Sequence, residues 1–282
     1  AFIRSRVAAQ VGSSMKTYVL ATLMEQGRSP DDIINGTAPC DMSNPGGAED
    51  PYHVENFADG GGTVGTITAA TLASSNCAFV RLGLIAGPAA VEEMAHRLGI
   101  TSELAAIPSL PLGTKEITPV EMASAYATLA AGGVYSKPMA IRKVVFADGR
   151  VDKESGWGIS KRKRVMSDGV AYEVTRILQN NITGGTGTGA NYGDPAAAGK
   201  TGTTDNSADA WFAGYTPQLA TVVWVGYPGR TAPMTSVHGI RVTGGRFRVF
   251  VHPRRALLAA AEAEGLRVAS SARGAVWEFA AL

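Results

Sequence analysis

Cysteine is scarce in this sequence of 282 residues: Cys40 and Cys77 are the only two. Two thiols are too few to staple a small scaffold, and composition leaves open whether they are reduced core residues or one bridge. An excess of either charge is also missing. Lys and Arg number 26 against 24 Asp and Glu, a formal net charge of +2, so nothing global attracts nucleic acid. No apolar run approaches the ~20 residues that cross a bilayer, and the amino end, AFIRSRVAAQ, lacks a charged-then-apolar leader pattern. The expectation is a soluble piece, cut from something longer. Hydrophobic side chains, by contrast, make up 45% of the residues. That suffices for a sizeable core in one large domain or two small ones.

The most informative stretch is Ala196–Tyr227, AAAGKTGTTDNSADAWFAGYTPQLATVVWVGY. Ala210–Gly214 and Ala220–Tyr227 read as an antiparallel strand pair around a Thr-Pro-Gln turn, with Lys200–Thr203 as the strand before them. Period-two alternation sends Lys200 and Gly202 to one face and Thr201 and Thr203 to the other. One site can use all of them only if the strand twists or the site wraps round an edge. Gly202 is expected to let a ligand backbone lie close. The stretch therefore reads as an edge strand binding an extended peptide that carries a carboxylate. The bland alternative is a surface strand with an incidental lysine. A phosphate loop is the sharper rival, but spacing disfavours it: five residues, not four, separate Gly193 from Gly199-Lys200-Thr201, and a strand rather than a helix is expected to follow.

Upstream, Phe2–Val11 is too short to assign. A helix is expected over Thr17–Gln26, with Met15, Val19, Leu20 and Leu23 on one face and Gly27 as its stop. Ser13 and Lys16 lie three apart at its start and so share a side. A hydroxyl beside an amine at a helix N-terminus is one pattern for an activated nucleophile with its base, but alone the S-x-x-K signal is weak, because Ser is a common cap and Lys a common exposed residue. Asn35–Thr63 reads as a long irregular excursion. Val64–Ala86 reads as helix with a break near Ser74-Ser75-Asn76, where polar residues interrupt an apolar stretch; a helix junction capped by Ser and Asn explains that on its own. Further helices are expected over Pro88–Leu98, after the capping box Thr118–Glu121, and after Ser167, where Val170, Val174, Ile177 and Leu178 form a buried stripe. Lys137–Asp148 reads as an extended segment and turn, Lys161–Arg164 as a solvated basic loop, and Thr183–Ala190 as a mobile glycine-rich loop beside the cleft.

S-x-x-K at Ser13–Lys16, S-x-N at Ser74–Asn76 and K-T-G-T at Lys200–Thr203, in that order, are far more specific together than apart. With them the chain resembles the transpeptidase domain of class A penicillin-binding proteins. The likeness extends through Gly12–Lys16, Ser74–Leu82, Leu112–Gly133, Thr183–Thr188, Ala198–Tyr227 and Val237–Gly245. The resemblance implies an α+β fold, an antiparallel sheet flanked by helices as in the β-lactamases. It implies an extracytoplasmic D,D-transpeptidase that acts on peptidoglycan stem peptides and is acylated by β-lactams. Ser13 would be the nucleophile and Lys16 its base. Ser74 would relay a proton, and Asn76 would orient a substrate amide. Lys200, Thr201 and Thr203, with Gly202 between them, would hold the terminal carboxylate, and the amides of Ser13 and Thr203 would form the oxyanion hole. No metal or cofactor is expected. None of the four histidines lies in these motifs, which fits a Ser-Lys mechanism.

In such a family the two cysteines are expected to pair as Cys40–Cys77. No E-x-x-L-N loop lies between Asn76 and Lys200, so a β-lactamase is not expected and the acyl-enzyme should be long-lived. The alternatives are a D,D-carboxypeptidase or a β-lactam-binding remnant without turnover. Only twelve residues precede Ser13, whereas the family places sheet strands there. The expectation is a partial domain over 1–245, followed by an atypical Arg- and Ala-rich tail over 246–282. The family's membrane anchor and glycosyltransferase domain are not found in the sequence. Arg246–Val251 alternates as a strand that would cover the edge of Ala220–Tyr227.

Overall fold

The computed structural model describes residues 7–45, 47–228, 230–235 and 242–246. The expected strand over 246–251 and the tail beyond it lie outside the described residues, apart from the short turn Gly244–Arg246. In chain order, β1 (Ala9–Gln10) leads into a 3₁₀ turn, Gly12–Met15, and then α1 (Lys16–Glu25). The excursion that follows contains β2 (Ile33–Asn35), β3 (Cys40–Met42), β4 (Tyr52–Val54) and β5 (Val64–Thr66). Next come α2 (Ile67–Leu72), α3 (Asn76–Ala86), α4 (Pro88–Leu98), β6 (Glu116–Ile117) and α5 (Pro119–Ala130). The strands β7 (Val134–Ser136) and β8 (Arg162–Arg164) precede α6 (Asp168–Gly184). The chain then builds β9 (Ala198–Thr203), β10 (Asp209–Thr216) and β11 (Leu219–Gly226).

The last three strands form the main sheet, antiparallel in the order β11–β10–β9, with Trp211 opposite Gly202 and Trp224. The expected hairpin is present, turning at Pro217-Gln218. Trp211 is fully buried at the centre of the sheet and its Nε1 donates to Gln10 O at 2.7 Å. Helices α5 and α6 pack on the sheet, and α1 packs against α3, α4 and α6. Enclosure by three helices explains why α1 departs from the one-faced helix expected: every residue from Lys16 to Met24 is buried. Tyr18, Tyr126 and Tyr215 stack edge-to-face at 6.5 and 6.2 Å, joining α1, α5 and β10.

Three other expectations are corrected. Val64–Thr66 is a strand paired with Ile33–Asn35, not the first turn of a helix. Two β-branched residues flanking a glycine find ladder partners there, and α2 begins only where the Thr66 side chain caps it. Arg162–Arg164 is a strand, not a loop, although its side chains are exposed as expected; pairing with Val134–Ser136 satisfies its backbone. The glycine-rich segment is partly helical, because Thr183 and Gly184 complete α6 and Thr188–Ala190 forms a 3₁₀ turn. Elsewhere the caps do as their residues predict. Thr118 and Glu121 make a reciprocal capping box, and Ser167 caps α6.

Cys40 and Cys77 are bonded. The bridge ties the β3–β4 hairpin to the first turn of α3 and encloses a sequence separation of 37. By loop closure it stabilises the fold by about 4 kcal/mol.

Candidate active site

Ser13 sits in the 3₁₀ turn that opens α1, and the turn is seated on β9 through two glycines. A side chain at Gly202 would strike Val11 O, Trp211 Cβ and Ser14 Oγ. Gly12 has φ +55°, and a side chain there would strike the backbone of Thr203. Gly202 therefore makes room for the turn that carries Ser13, not for a ligand backbone as its place in an edge strand suggested. The contact lays the turn carrying Ser13 along Thr203.

Lys16, one turn on, is fully buried. Its Nζ lies 2.9 Å from Ser13 Oγ, 2.6 Å from Ser74 O, 2.7 Å from Asn76 Oδ1 and 3.4 Å from Ser74 Oγ. Burial, and then the charge of Lys200, hold its pKa well below that of an ordinary lysine. No carboxylate pairs with it among the described residues. A neutral amine has two N–H donors and one lone pair. The carbonyl of Ser74 and Oδ1 of Asn76 can only accept, so they take both donors. The lone pair is then left to accept a hydroxyl proton, and Ser13 Oγ is the nearer hydroxyl.

Ser74 lies between α2 and α3 at φ +53°, a left-handed conformation that is costly for serine. Ser75 beside it caps α3 by accepting from Ala78 N. The junction is thus a capped helix break that also reaches the second buried lysine, since Ser74 Oγ accepts from Lys200 Nζ at 2.8 Å. Lys200 is also fully buried, and burial pushes its pKa down to about 7. Its long side chain reaches back to the cleft from the face it shares with Gly202. The hydroxyl of Thr201, on the opposite face, donates to Thr186 Oγ1 at 2.8 Å. The site does wrap round the strand edge, as alternation required.

A cleft of about 790 Å³ opens over these groups, lined by Ser13, Ser74, Asn76, Thr186, Thr201 and Thr203. Ser13, Lys16, Ser74, Asn76, Lys200, Thr201, Gly202 and Thr203, named from sequence as far apart as 190 positions, are all in or directly beneath it; only the reason given for Gly202 changes. Two contributors were missed. Thr186 lies inside the glycine-rich segment expected beside the cleft, but it is not singled out there as a site residue. Asn56 lay inside the irregular excursion, and its side chain holds the start of α3. No group of three or more His, Cys, Asp or Glu able to hold a metal occurs among the described residues.

A family model described as the penicillin binding protein transpeptidase domain matches residues 5–229. Penicillin-binding protein 1A of Mycobacterium tuberculosis is 32% identical over 257 residues, covering 83% of this chain and 30% of that protein. Penicillin-binding protein 1B of Escherichia coli is 37% identical over 156 residues, covering 54% of this chain and 18% of that protein. The chain thus spans less than a third of the length of either relative. Among solved structures, the penicillin-binding protein PonA1 of Mycobacterium tuberculosis superposes with a TM-score of 0.74 at 30% identity, covering 87% of this chain and 67% of that one. The same protein in complex with penicillin V superposes with the same score and coverage.

Proposed function

Because the chain belongs to the penicillin-binding protein transpeptidase family, we propose that it is a serine D,D-transpeptidase domain, acting on peptidoglycan stem peptides that end in D-Ala-D-Ala and acylated by β-lactams. One observation carries the reading: a buried amine with no carboxylate partner, its two donors consumed by Ser74 O and Asn76 Oδ1, lies 2.9 Å from the Ser13 hydroxyl.

Lys16 accepts the Ser13 proton as Oγ attacks the carbonyl of the penultimate D-Ala. The oxyanion that forms is held by the amides of Ser13 and Thr203. As the tetrahedral intermediate collapses, the C–N bond breaks and the departing D-Ala amine receives a proton through Ser74 Oγ. That hydroxyl lies within 3.4 Å of Lys16 Nζ and 2.8 Å of Lys200 Nζ. The substrate carboxylate is held by Lys200 and by the hydroxyls of Thr201 and Thr203; a bound anion beside Lys200 restores its positive charge. A second stem peptide's amine then attacks the acyl-enzyme by the same steps in reverse. Glu55, Asp59 and Asp205 also line the cleft, and among the described residues no carboxylate hydrogen-bonds to the side chains of Ser13, Lys16 or Ser74. The buried Cys40–Cys77 bridge supports an extracytoplasmic location, where oxidising conditions keep such bonds.

The test is incubation with a fluorescent penicillin followed by intact-protein mass spectrometry. One covalent adduct per chain is expected, persistent over hours and absent in Ser13→Ala. Folded protein that stays unlabelled would overturn the reading, and rapid loss of the label would replace transfer by hydrolysis.

A further inference from the structure

The amine of Lys16 is aimed by Asn76, and Asn76 is in turn held by a segment remote in sequence. Its Nδ2 donates to Glu55 O at 2.8 Å, which turns Oδ1 toward Lys16. The next residue, Asn56, is buried, and its Oδ1 accepts from Asn76 N at 2.8 Å, Cys77 N at 3.2 Å and Ser75 Oγ at 3.1 Å. The Asn76 and Cys77 amides are the first two of α3 and have no partner within the helix. Asn56 therefore caps α3 from a different part of the chain, while Ser75 takes only the third amide, that of Ala78.

The chemistry of its surroundings sets the orientation of the Asn56 amide. Nδ2 donates to Gly36 O at 2.9 Å; reversed, the group would set NH₂ against two N–H donors and its oxygen against a carbonyl. The seat is shaped by glycine. A side chain at Gly62, where φ is +64°, would strike Gly36 O and come within 2.5 Å of Asn56 Nδ2. Gly36 N donates to Thr63 O and Ala38 N to Gly61 O, which closes the two backbone segments around the amide.

We infer that Asn56 is a positioning residue for the acylation step, fixing Asn76 and through it the direction of the Lys16 lone pair. This rests on the acyl-transfer reading above. Asn56 also lines the cleft, but it hydrogen-bonds to neither Ser13 nor Lys16 and its polar atoms are engaged by Gly36, Ser75, Asn76 and Cys77, so its effect is expected on the chemical step more than on ligand affinity. The Cys40–Cys77 bridge offers a competing explanation, since it also anchors the start of α3.

The experiment resolves fluorescent-penicillin acylation of the full chain into a dissociation constant and a first-order acylation rate. Asn56→Ala is expected to lower the rate roughly tenfold to 100-fold, the cost of a misplaced reacting group, with the dissociation constant within about twofold of wild type. In an Asn76→Ala background the same change should have little further effect, because both act on one path. A wild-type rate in Asn56→Ala would overturn the inference and leave the anchoring to the disulfide. So would a loss that simply adds to that of Asn76→Ala. If the alanine variant does not fold, Asn56→Asp keeps the acceptor and places a carboxylate one residue link from the amine. The acid limb of its acylation profile should move to higher pH, and an unmoved limb would overturn the inference. Failure of wild type to label is a separate result and removes the functional reading itself.

Discussion

Lys16 and Glu121 are both ionisable groups set among hydroxyls and amides, and their surroundings push them in opposite directions. Six donors converge on Glu121: the backbone N–H and hydroxyl of Thr101, of Ser102 and of Thr118. Burial alone would raise its pKa, but hydrogen bonds from Thr101, Thr118 and Ser102 outweigh burial and hold it at about 2. Lys16 meets two neutral acceptors and two hydroxyls, and burial, then the nearby charge of Lys200, drives its pKa down. Around Glu121 the fold supplies whatever the charged form needs. Around Lys16 no counter-ion is supplied among the described residues. A polar cluster that leaves its ionisable group poorly matched is the one to read as chemistry.

The comparison is tested most severely at Lys16 itself. Lys16→Met keeps the bulk and removes the base, and should slow penicillin acylation by about 10²- to 10⁴-fold; a rate near that of wild type would show the missing counter-ion to be incidental. A smaller effect concerns the cost of poor matching. Because burial lowers the Lys200 pKa to about 7, the unfolded chain binds more protons than the folded one between there and the ordinary lysine value of 10.5. Stability should therefore rise with pH across that window, by up to about 1.4 kcal/mol per pH unit from this one group. Urea titrations at several pH values should give a shallower slope for Lys200→Gln. The smallest effect is on the other side of the comparison. Glu121 is only partly shielded, so Glu121→Gln should cost about 1–2 kcal/mol near neutral pH. Its contribution is fully present above the unfolded value of 4.5 and lost as pH falls through 2. The variant and wild type should converge in thermal melts toward the acid end.

Most of the site could be read from local rules. A spacing of three at a helix start puts Ser13 beside Lys16, and strand alternation describes β9, including the need for the site to turn an edge. Ser74–Asn76 was less legible, because a capped helix junction needs the same residue types as a proton relay; the cap is present, and Ser74 Oγ also lies between the two lysine amines. Asn56 was not legible. It caps a helix that starts twenty residues later, and capping rules look only at neighbours in sequence. Gly202 was found for the wrong reason: its role depends on a turn near residue 12, which no reading of the strand alone contains. The strands at Val64 and Arg162 were missed because their pairing partners, Ile33–Asn35 and Val134–Ser136, lie about 30 residues away.

The seat of Gly12 on Thr203 has a consequence for when the protein becomes reactive. The groups gathered around the Ser13 hydroxyl and its lysine neighbour come from residues 16, 74 and 76, and the shelf beneath its turn arrives only with residues 202 and 203. A ribosome-bound chain halted before that point would own its serine and its lysine yet lack the wall that holds them to a ligand, and contacts this far apart close late. On the proposed function, penicillin would thus ignore unfinished chains and mark completed ones, and an adduct would double as a certificate of assembly.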